Sequence, residues 1–67
     1  MADGTVKWFD PRRGFGVIIP DDLTHTVFVH YSAIEGSGFR SLSEGQRVRF
    51  DAQPGIKGPQ ATWVSAL

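Results

Sequence analysis

The sequence predicts an all-β fold, a barrel or a sandwich, formed by one domain over residues 1–67. Turn residues divide the chain into about five short extended runs that alternate apolar and polar side chains. No window shows a helical hydrophobic period over the roughly ten residues that a stable helix needs. A chain of 67 residues is near the size at which one core is only marginally stabilising, and this one has no cysteine for disulfides.

Proline residues set the limits of the first strands. Pro11 ends the first strand and Pro20 begins the turn after the second, because proline cannot donate to a sheet ladder. The first three predicted strands cover residues 5–10, 15–19 and 26–30.

The third predicted strand carries large side chains on both of its faces. Successive side chains of a strand point to opposite faces, so Val27 and Val29 share one side. Phe28 and His30 share the other side, and Phe15 is placed in the same way on the second strand. The valines are the natural core set. A large apolar side chain left unburied gives up on the order of 1.5 to 3 kcal/mol, so we interpret the aromatic face as a binding surface.

The second half of the chain adds a helical turn and two further strands. The predicted elements are a helical turn at residues 32–35, a strand at 46–51, a turn between the Pro-Gly and Gly-Pro pairs at 54–55 and 58–59, and a strand at 61–67. In the strand at 46–51, Val48 and Phe50 point inward, and we expect Phe9 in the same core. Arg47 and Arg49 form a solvated face on the other side of that strand.

Positive charge is concentrated beside the aromatic strands although the net charge is zero. The chain has seven Lys and Arg against seven Asp and Glu. Residues 5–19 carry Lys7, Arg12 and Arg13 against Asp10 alone. This distribution matters more than the sum for an anionic ligand. Three cations predict a shallow salt dependence compared with that of a strongly basic protein.

Catalytic and membrane functions find little support in the sequence. Asp10, Asp21 and Asp22 fall in turns, where Asp is favoured because it hydrogen-bonds the local backbone. We find no phosphate-binding loop, no cysteine or His-rich ligand set and no nucleophile beside a base, so we expect no enzyme activity, no cofactor and no metal. No segment approaches the roughly 20 apolar residues of a membrane span, and the first residues lack a basic or apolar run. We therefore expect a cytoplasmic protein without a membrane partner.

Four segments match one protein family in their order and spacing. They are GTVKWF at residues 4–9, RGFG at 13–16, VFVHYSAI at 27–34 and GPQA at 58–61. With them, essentially the whole chain resembles a bacterial cold-shock protein. The resemblance implies a single cold-shock domain over residues 1–67, built as a five-stranded antiparallel oligonucleotide/oligosaccharide-binding (OB) barrel with two ribonucleoprotein-type motifs. The RNA-recognition fold shares the first motif, but it needs two helices that no segment here predicts.

The resemblance also implies a surface that binds single-stranded RNA and DNA, with pyrimidine-rich strands tolerated. Each base stacked on an aromatic side chain contributes roughly 1 to 3 kcal/mol, with little regard to its identity. The candidate stacking residues are Trp8, Phe15, Phe28, His30, Tyr31 and Phe39. Lys7, Arg13 and Lys57 are expected to contact phosphates at the rim of this platform. Gln60 is expected to hydrogen-bond a base edge.

The family role implied is that of a nucleic-acid chaperone that needs no ATP. Such a protein acts in cold adaptation and in the regulation of transcription and translation. The competing interpretation is a small-barrel module that grips a Pro-rich or extended peptide, since aromatic-lined grooves bind such peptides.

The chain departs from the family pattern at several positions. Val17 stands where these proteins typically carry phenylalanine, which predicts one weaker subsite in the middle of the face. Trp8 faces solvent only if a bulge or sharp twist interrupts the first strand, because strict alternation puts it on the same side as Val6. The turn at residues 20–25 is one residue longer than usual. Trp63 covers a barrel end or, alternatively, contacts a partner, so we expect a monomer unless Trp63 mediates self-association.

Overall fold

The computed structural model describes residues 1–36 and 40–67 and contains five strands and one short 3-10 turn. In chain order these are β1 (Ala2–Asp10), β2 (Phe15–Pro20), β3 (Val27–His30), the 3-10 turn (Tyr31–Ala33), β4 (Arg47–Gly55) and β5 (Gly58–Ala66). In the described part of the chain, no helix has the length and apolar character needed to cross a bilayer.

The strands form a closed barrel in the order β1-β2-β3-β5-β4. β1 pairs antiparallel with β2 and with β4, β2 with β3, and β4 with β5. β3 and β5 close the barrel in parallel, with Phe28 opposite Gln60. The five-stranded barrel is thus confirmed, but it is not antiparallel throughout. A ring of five strands cannot alternate direction at every step, so one neighbouring pair must run the same way.

The barrel interior holds an aliphatic core with one phenylalanine. Its buried members are Val6, Ile18, Val27, Val29, Ile34, Leu42, Val48, Phe50, Ala61 and Val64, and the partly buried Phe9 packs against them. Alternation predicted the inward side of β3 and β4 correctly, because those two strands follow the two-residue period without interruption through these positions. Phe9 and Phe50 belong to the core as expected.

Three strands, β1, β4 and β5, extend well beyond their predicted limits, whereas β2 is longer only by Pro20. β1 begins at Ala2, which pairs with Phe50 of β4. β4 and β5 extend as far as Gly55 and Gly58, and their pairing continues beyond two prolines that lie opposite one another. The turn at Ile56 and Lys57 lies between the Pro-Gly and Gly-Pro pairs as predicted, and these pairs are also the paired ends of the two strands. Proline is tolerated there because these strand ends pair only with each other: the pairing of β4 with β1 ends at Phe50, and β5 pairs with β3 at Gln60.

Ion pairs neutralise the outer side of β1 and β4. Both terminal nitrogens of Arg47 lie 2.6 Å from the carboxylate oxygens of Asp21. Arg49 Nε donates to Asp3 Oδ1 over 2.9 Å. Arg47 and Arg49 therefore point outward as predicted, but their charges are paired. Hydrogen bonds from Arg47 lower the pKa of Asp21, and those from Arg49 lower the pKa of Asp3, below their ordinary values.

Candidate nucleic-acid interface

A β-bulge in β1 places Trp8 on the outer face of the barrel. Val6 lies opposite Ile18 of β2, whereas Trp8 lies opposite Val17, so Lys7 is the extra residue. Val6 points into the core, and Trp8 keeps 38% of its surface exposed. The bulge that an outward Trp8 requires is therefore present. Lys7, the residue before Trp8 in the chain, is exposed to solvent.

Two cross-strand rows lie on the outer face of β1, β2 and β3, and the first row continues onto β5. Residues directly opposite on neighbouring strands share a face of the sheet. The pairings give one row of Trp8, Val17, Phe28 and Gln60, and a second row of Asp10, Phe15 and His30. The sheet thus brings together side chains that are as far as 52 positions apart, from 8 to 60, in the chain.

The phenyl rings of this outer face lie outside the core. Phe15 and Phe28 are each half-buried and are not members of the interior cluster. The Trp8 and Phe15 rings meet edge to face, with centroids 5.8 Å apart and an interplanar angle of 83°. Because the two rings are not coplanar, each presents a different surface to solvent.

Val17 sits between two rings and is largely covered. It is 8% exposed, yet it does not belong to the core cluster. Its neighbours across the strands are Trp8 on one side and Phe28 on the other. Val17 therefore fills the space between the two rings with a short apolar side chain. A phenylalanine at this position would extend farther from the sheet.

His30 also has a structural role. Its Nδ1 lies 2.8 Å from Ser32 Oγ and accepts a 3.3 Å hydrogen bond from the Ser32 N–H, which caps the 3-10 turn. The exposed Tyr31 ring lies next to the imidazole, with ring centroids 4.4 Å apart and an angle of 41°. The cap fixes the imidazole orientation at the end of the second row.

Gly14 allows the Tyr31 ring to pack closely against the turn after β1. Its φ of +77° lies in the left-handed region, and its N–H donates to the Asp10 carbonyl oxygen over 2.7 Å. The Gly14 carbonyl accepts from the Tyr31 N–H over 2.8 Å. A methyl group at position 14 would lie only 2.6 Å from Tyr31 Cδ1. The glycine of the first motif thus shapes the turn and lets the tyrosine ring approach.

A groove of about 350 Å³ runs beside the two rows. Its lining includes Phe15, Phe28, His30, Ile56, Lys57 and Gln60. Five of these six were candidate binding residues, but Ile56 was not. An apolar residue within a two-residue turn was the available signal, and we missed it because the residue belongs to no periodic run.

The three candidate phosphate contacts differ in their surroundings. Lys7 and Lys57 are exposed, and among the ion pairs of residues 1–36 and 40–67 neither takes part. Arg13 Nε lies 3.8 Å from Asp10 Oδ2, a loose contact at an exposed site. Lys57 borders the groove, whereas Lys7 lies at the bulge beside Trp8.

The acidic turn residues make local or cross-strand contacts. Asp10 Oδ1 accepts from the Arg12 N–H over 2.9 Å, and Asp22 Oδ1 accepts from the Thr24 N–H over 3.1 Å. Within the residues that the structure describes, no three His, Asp or Glu side chains gather in a way that could hold a metal ion.

Phe39, a candidate stacking residue, lies outside the described residues. Trp63 does not belong to the aromatic face. Trp63 is half-buried and lies opposite Asp51 of β4, next to the fully buried Val64. The register therefore turns Trp63 to the outer surface of β5.

Comparison with known proteins gives a consistent family assignment. The family model described as the 'Cold-shock' DNA-binding domain matches residues 2–67. The chain is 57% identical over 67 residues to the Cold shock protein of Arthrobacter globiformis, and the match covers all of both chains. It is 54% identical, again over all of both chains, to the Probable cold shock protein A of Mycolicibacterium smegmatis. It is 55% identical to the Cold shock-like protein CspC of Escherichia coli, over 96% of this chain and 93% of that one.

These relatives are cold shock proteins, and the family model that matches is that of a DNA-binding domain. The closed five-stranded barrel agrees with the OB-fold of that family. The chain therefore belongs to the cold-shock domain family.

Proposed function

We propose that this protein binds single-stranded RNA and DNA by stacking unpaired bases on the outer face of β1, β2 and β3, and that it acts in the cytoplasm as a chaperone that needs no ATP. The observation that carries the proposal is the pair of cross-strand rows, which bring Trp8, Phe15, Phe28 and His30 onto one open face. A 67-residue barrel has little stability to spare, so four rings outside its core indicate a ligand.

Stacking supplies enough free energy for this function. Four stacked bases would contribute roughly 4 to 12 kcal/mol gross, from which the costs of association are subtracted. The edge-to-face contact between Trp8 and Phe15 supports separate stacks, because each ring turns its flat surface in its own direction. Base identity matters little to such contacts, which fits a chaperone for many strands.

Charged and amide groups at the edges of the face support a strand path. Lys7 and Lys57 are exposed cations at opposite ends of the row that joins Trp8 to Gln60. Phosphate contacts from them and from Arg13 would fix the position of the backbone without reading sequence. Gln60 lies opposite Phe28, where its amide would meet the edge of a base stacked on that ring.

The chaperone activity follows from mass action. A protein that binds unpaired strands better than duplex stabilises the melted state by an amount set by its free concentration relative to its Kd. Hairpins would then open without any chemical step. Low temperature stabilises unwanted RNA structure, which is where such an activity is most useful.

A double substitution of the central phenylalanines tests the proposal. Phe15→Ala with Phe28→Ala should weaken binding to oligothymidine by roughly 2 to 6 kcal/mol, since two stacks are lost. Trp63→Ala is the matched control, because Trp63 is an aromatic of the outer surface that lies off this face. Affinity is measured by quenching of Trp8 fluorescence, with Trp63→Ala also removing the background indole.

Two further titrations decide between ligand classes. A duplex of the same length should bind far more weakly than the single strand, and a Pro-rich peptide should leave the fluorescence unchanged. Tight peptide binding, or a double alanine variant with intact oligomer affinity, would refute the proposal.

A further inference from the structure

Ile56 is the most exposed large hydrophobic residue in the described part of the chain, at 105% relative exposure. It forms a two-residue turn with Lys57, between the paired Gly55 and Gly58. Such turns favour Asn, Asp and Gly, whose side chains or flexibility suit the backbone. Isoleucine gains nothing there from turn chemistry or from packing. The groove that Ile56 lines, rather than its exposure alone, distinguishes it from other exposed aliphatic residues.

The position of Ile56 connects it to the proposed binding face. Ile56 lines the same groove as Phe28 and Gln60. Gln60 leans against the base of this hairpin, since a methyl group at Gly55 would come within 3.1 Å of Gln60 Oε1. Lys57, the other turn residue, places a positive charge at the same tip. The groove therefore extends from the aromatic face to an aliphatic wall formed by the Ile56 side chain, and the charged Lys57 lies next to Ile56 in the turn.

A nucleobase of the bound strand is the occupant that fits this wall. The groove adjoins the stacking face, and its cation suits a polyanion. Aliphatic side chains contact the C5-methyl group of thymine, which uracil lacks. We propose that Ile56 is an additional nucleobase-contact residue, and that the subsite between Phe28, Gln60 and Ile56 prefers thymine to uracil. This inference rests on the proposed binding of single strands.

Oligodeoxythymidine and oligodeoxyuridine of equal length isolate the methyl group, because the sugar and charge are the same. The wild-type protein should bind the thymidine oligomer about fourfold more tightly, the effect of burying one methyl group. Ile56→Asn should bring the ratio of the two Kd values, that for the uridine oligomer divided by that for the thymidine oligomer, close to one. Asparagine is favoured in turns, so this variant should fold normally. Ile56→Leu keeps an aliphatic wall and should keep the preference.

Leu23 offers a matched control. It is 81% exposed in the turn after β2, and it does not line the groove. Its φ of +58° suits asparagine better than leucine. Leu23→Asn therefore makes the same chemical change on another exposed turn and should leave the ratio of Kd values unchanged.

The outcomes separate this inference from the proposed function. A lower ratio in Ile56→Asn alone supports the inference. An unchanged ratio, or an equal loss of affinity for both oligomers, overturns the thymine preference even if the double alanine variant of Phe15 and Phe28 loses binding as expected. If the wild-type protein bound neither oligomer, both proposals would fail.

Discussion

At the scale of single residues, Val17 sets the height of the binding face between two rings. Its side chain points outward between Trp8 and Phe28, so an aromatic residue there would extend the row. Val17→Phe should tighten binding to a pyrimidine-rich single strand by roughly 1 kcal/mol or more, because it adds one stacking surface. Fluorescence titration measures the change. Val17→Leu adds bulk without a ring and should leave the Kd nearly constant. An unchanged Kd for Val17→Phe would contradict this placement of the side chain.

Alanine substitutions at two glycines distinguish the cost of backbone strain from the cost of a collision with an aromatic ring. Gly14 and Gly45 both have φ near +80°, at +77° and +83°. A methyl group at Gly45 would meet nothing within 4 Å, whereas at Gly14 it would collide with Tyr31. Gly45→Ala should destabilise the protein by roughly 1 kcal/mol, and Gly14→Ala by about 2 kcal/mol or more. Urea unfolding gives both values. Gly14→Ala should also weaken oligomer binding, and equal losses of stability would show that Tyr31 does not depend on Gly14.

At the scale of elements, the sequence predicts the strands whose inward and outward side chains alternate regularly. It does not predict where a bulge or a turn interrupts that alternation. Val27 and Val29 identify the core side of β3 because that strand is uninterrupted. Trp8 required the family resemblance, since the bulge at Lys7 leaves no mark in composition. Ile56 could not be identified in this way, because a turn lacks the two-residue alternation of side chains from which an unusual residue would stand out. The ends of β4 and β5 were misplaced because proline only weakens the expectation of a strand, and tertiary closure decided its length.

The 3-10 turn after β3 links stability to binding through one side chain. His30→Ala removes both the cap on Ser32 and the ring, so it should cost roughly 1 kcal/mol of stability as well as affinity. His30→Asn keeps an acceptor for the Ser32 N–H, and its stability should match the wild-type value within a few tenths of a kcal/mol. Both variants should lose roughly 1 to 3 kcal/mol of binding free energy, since the ring is gone. Thermal melts and titrations check the two effects. Wild-type affinity in His30→Asn would mean that His30 acts only through its cap.

At the scale of the whole molecule, charge is divided between two sides of the barrel. The ion pairs of Arg47 and Arg49 neutralise the β1–β4 side, whereas Lys7 and Lys57 remain exposed beside the aromatic face. A net charge of zero therefore does not prevent attraction of a polyanion. The arrangement also reduces the number of phosphates that the protein can neutralise.

The salt dependence of binding measures how many cations contact the phosphates of the bound strand. Three phosphate contacts, from Lys7, Arg13 and Lys57, predict a slope of log K against log salt of about −2 for a single strand. Lys57→Gln should make the slope shallower by about 0.7, the value for one contact. Arg47→Gln removes a cation of the paired side and should leave the slope unchanged. A slope several times steeper in the wild-type protein would show that ion pairing, rather than stacking, dominates.

The same ion pairs predict how stability responds to acid. The carboxyls of Asp3 and Asp21 have a pKa lowered from 3.8, chiefly by hydrogen bonds from Arg49 and Arg47. A carboxyl whose pKa is lower in the folded state stabilises that state above its unfolded pKa, and the contribution is lost as the pH falls through the folded value. Stability should therefore be constant near neutrality and decline below about pH 3.8. Arg47→Gln combined with Arg49→Gln should flatten this decline, because the two carboxyls then titrate at nearly the same pH in both states. Lys57→Gln removes a cation outside these pairs and should keep the wild-type profile. Urea midpoints measured from pH 6 to pH 2 test the expectation, and a double variant that declines as steeply as the wild type would assign the acid sensitivity to other groups.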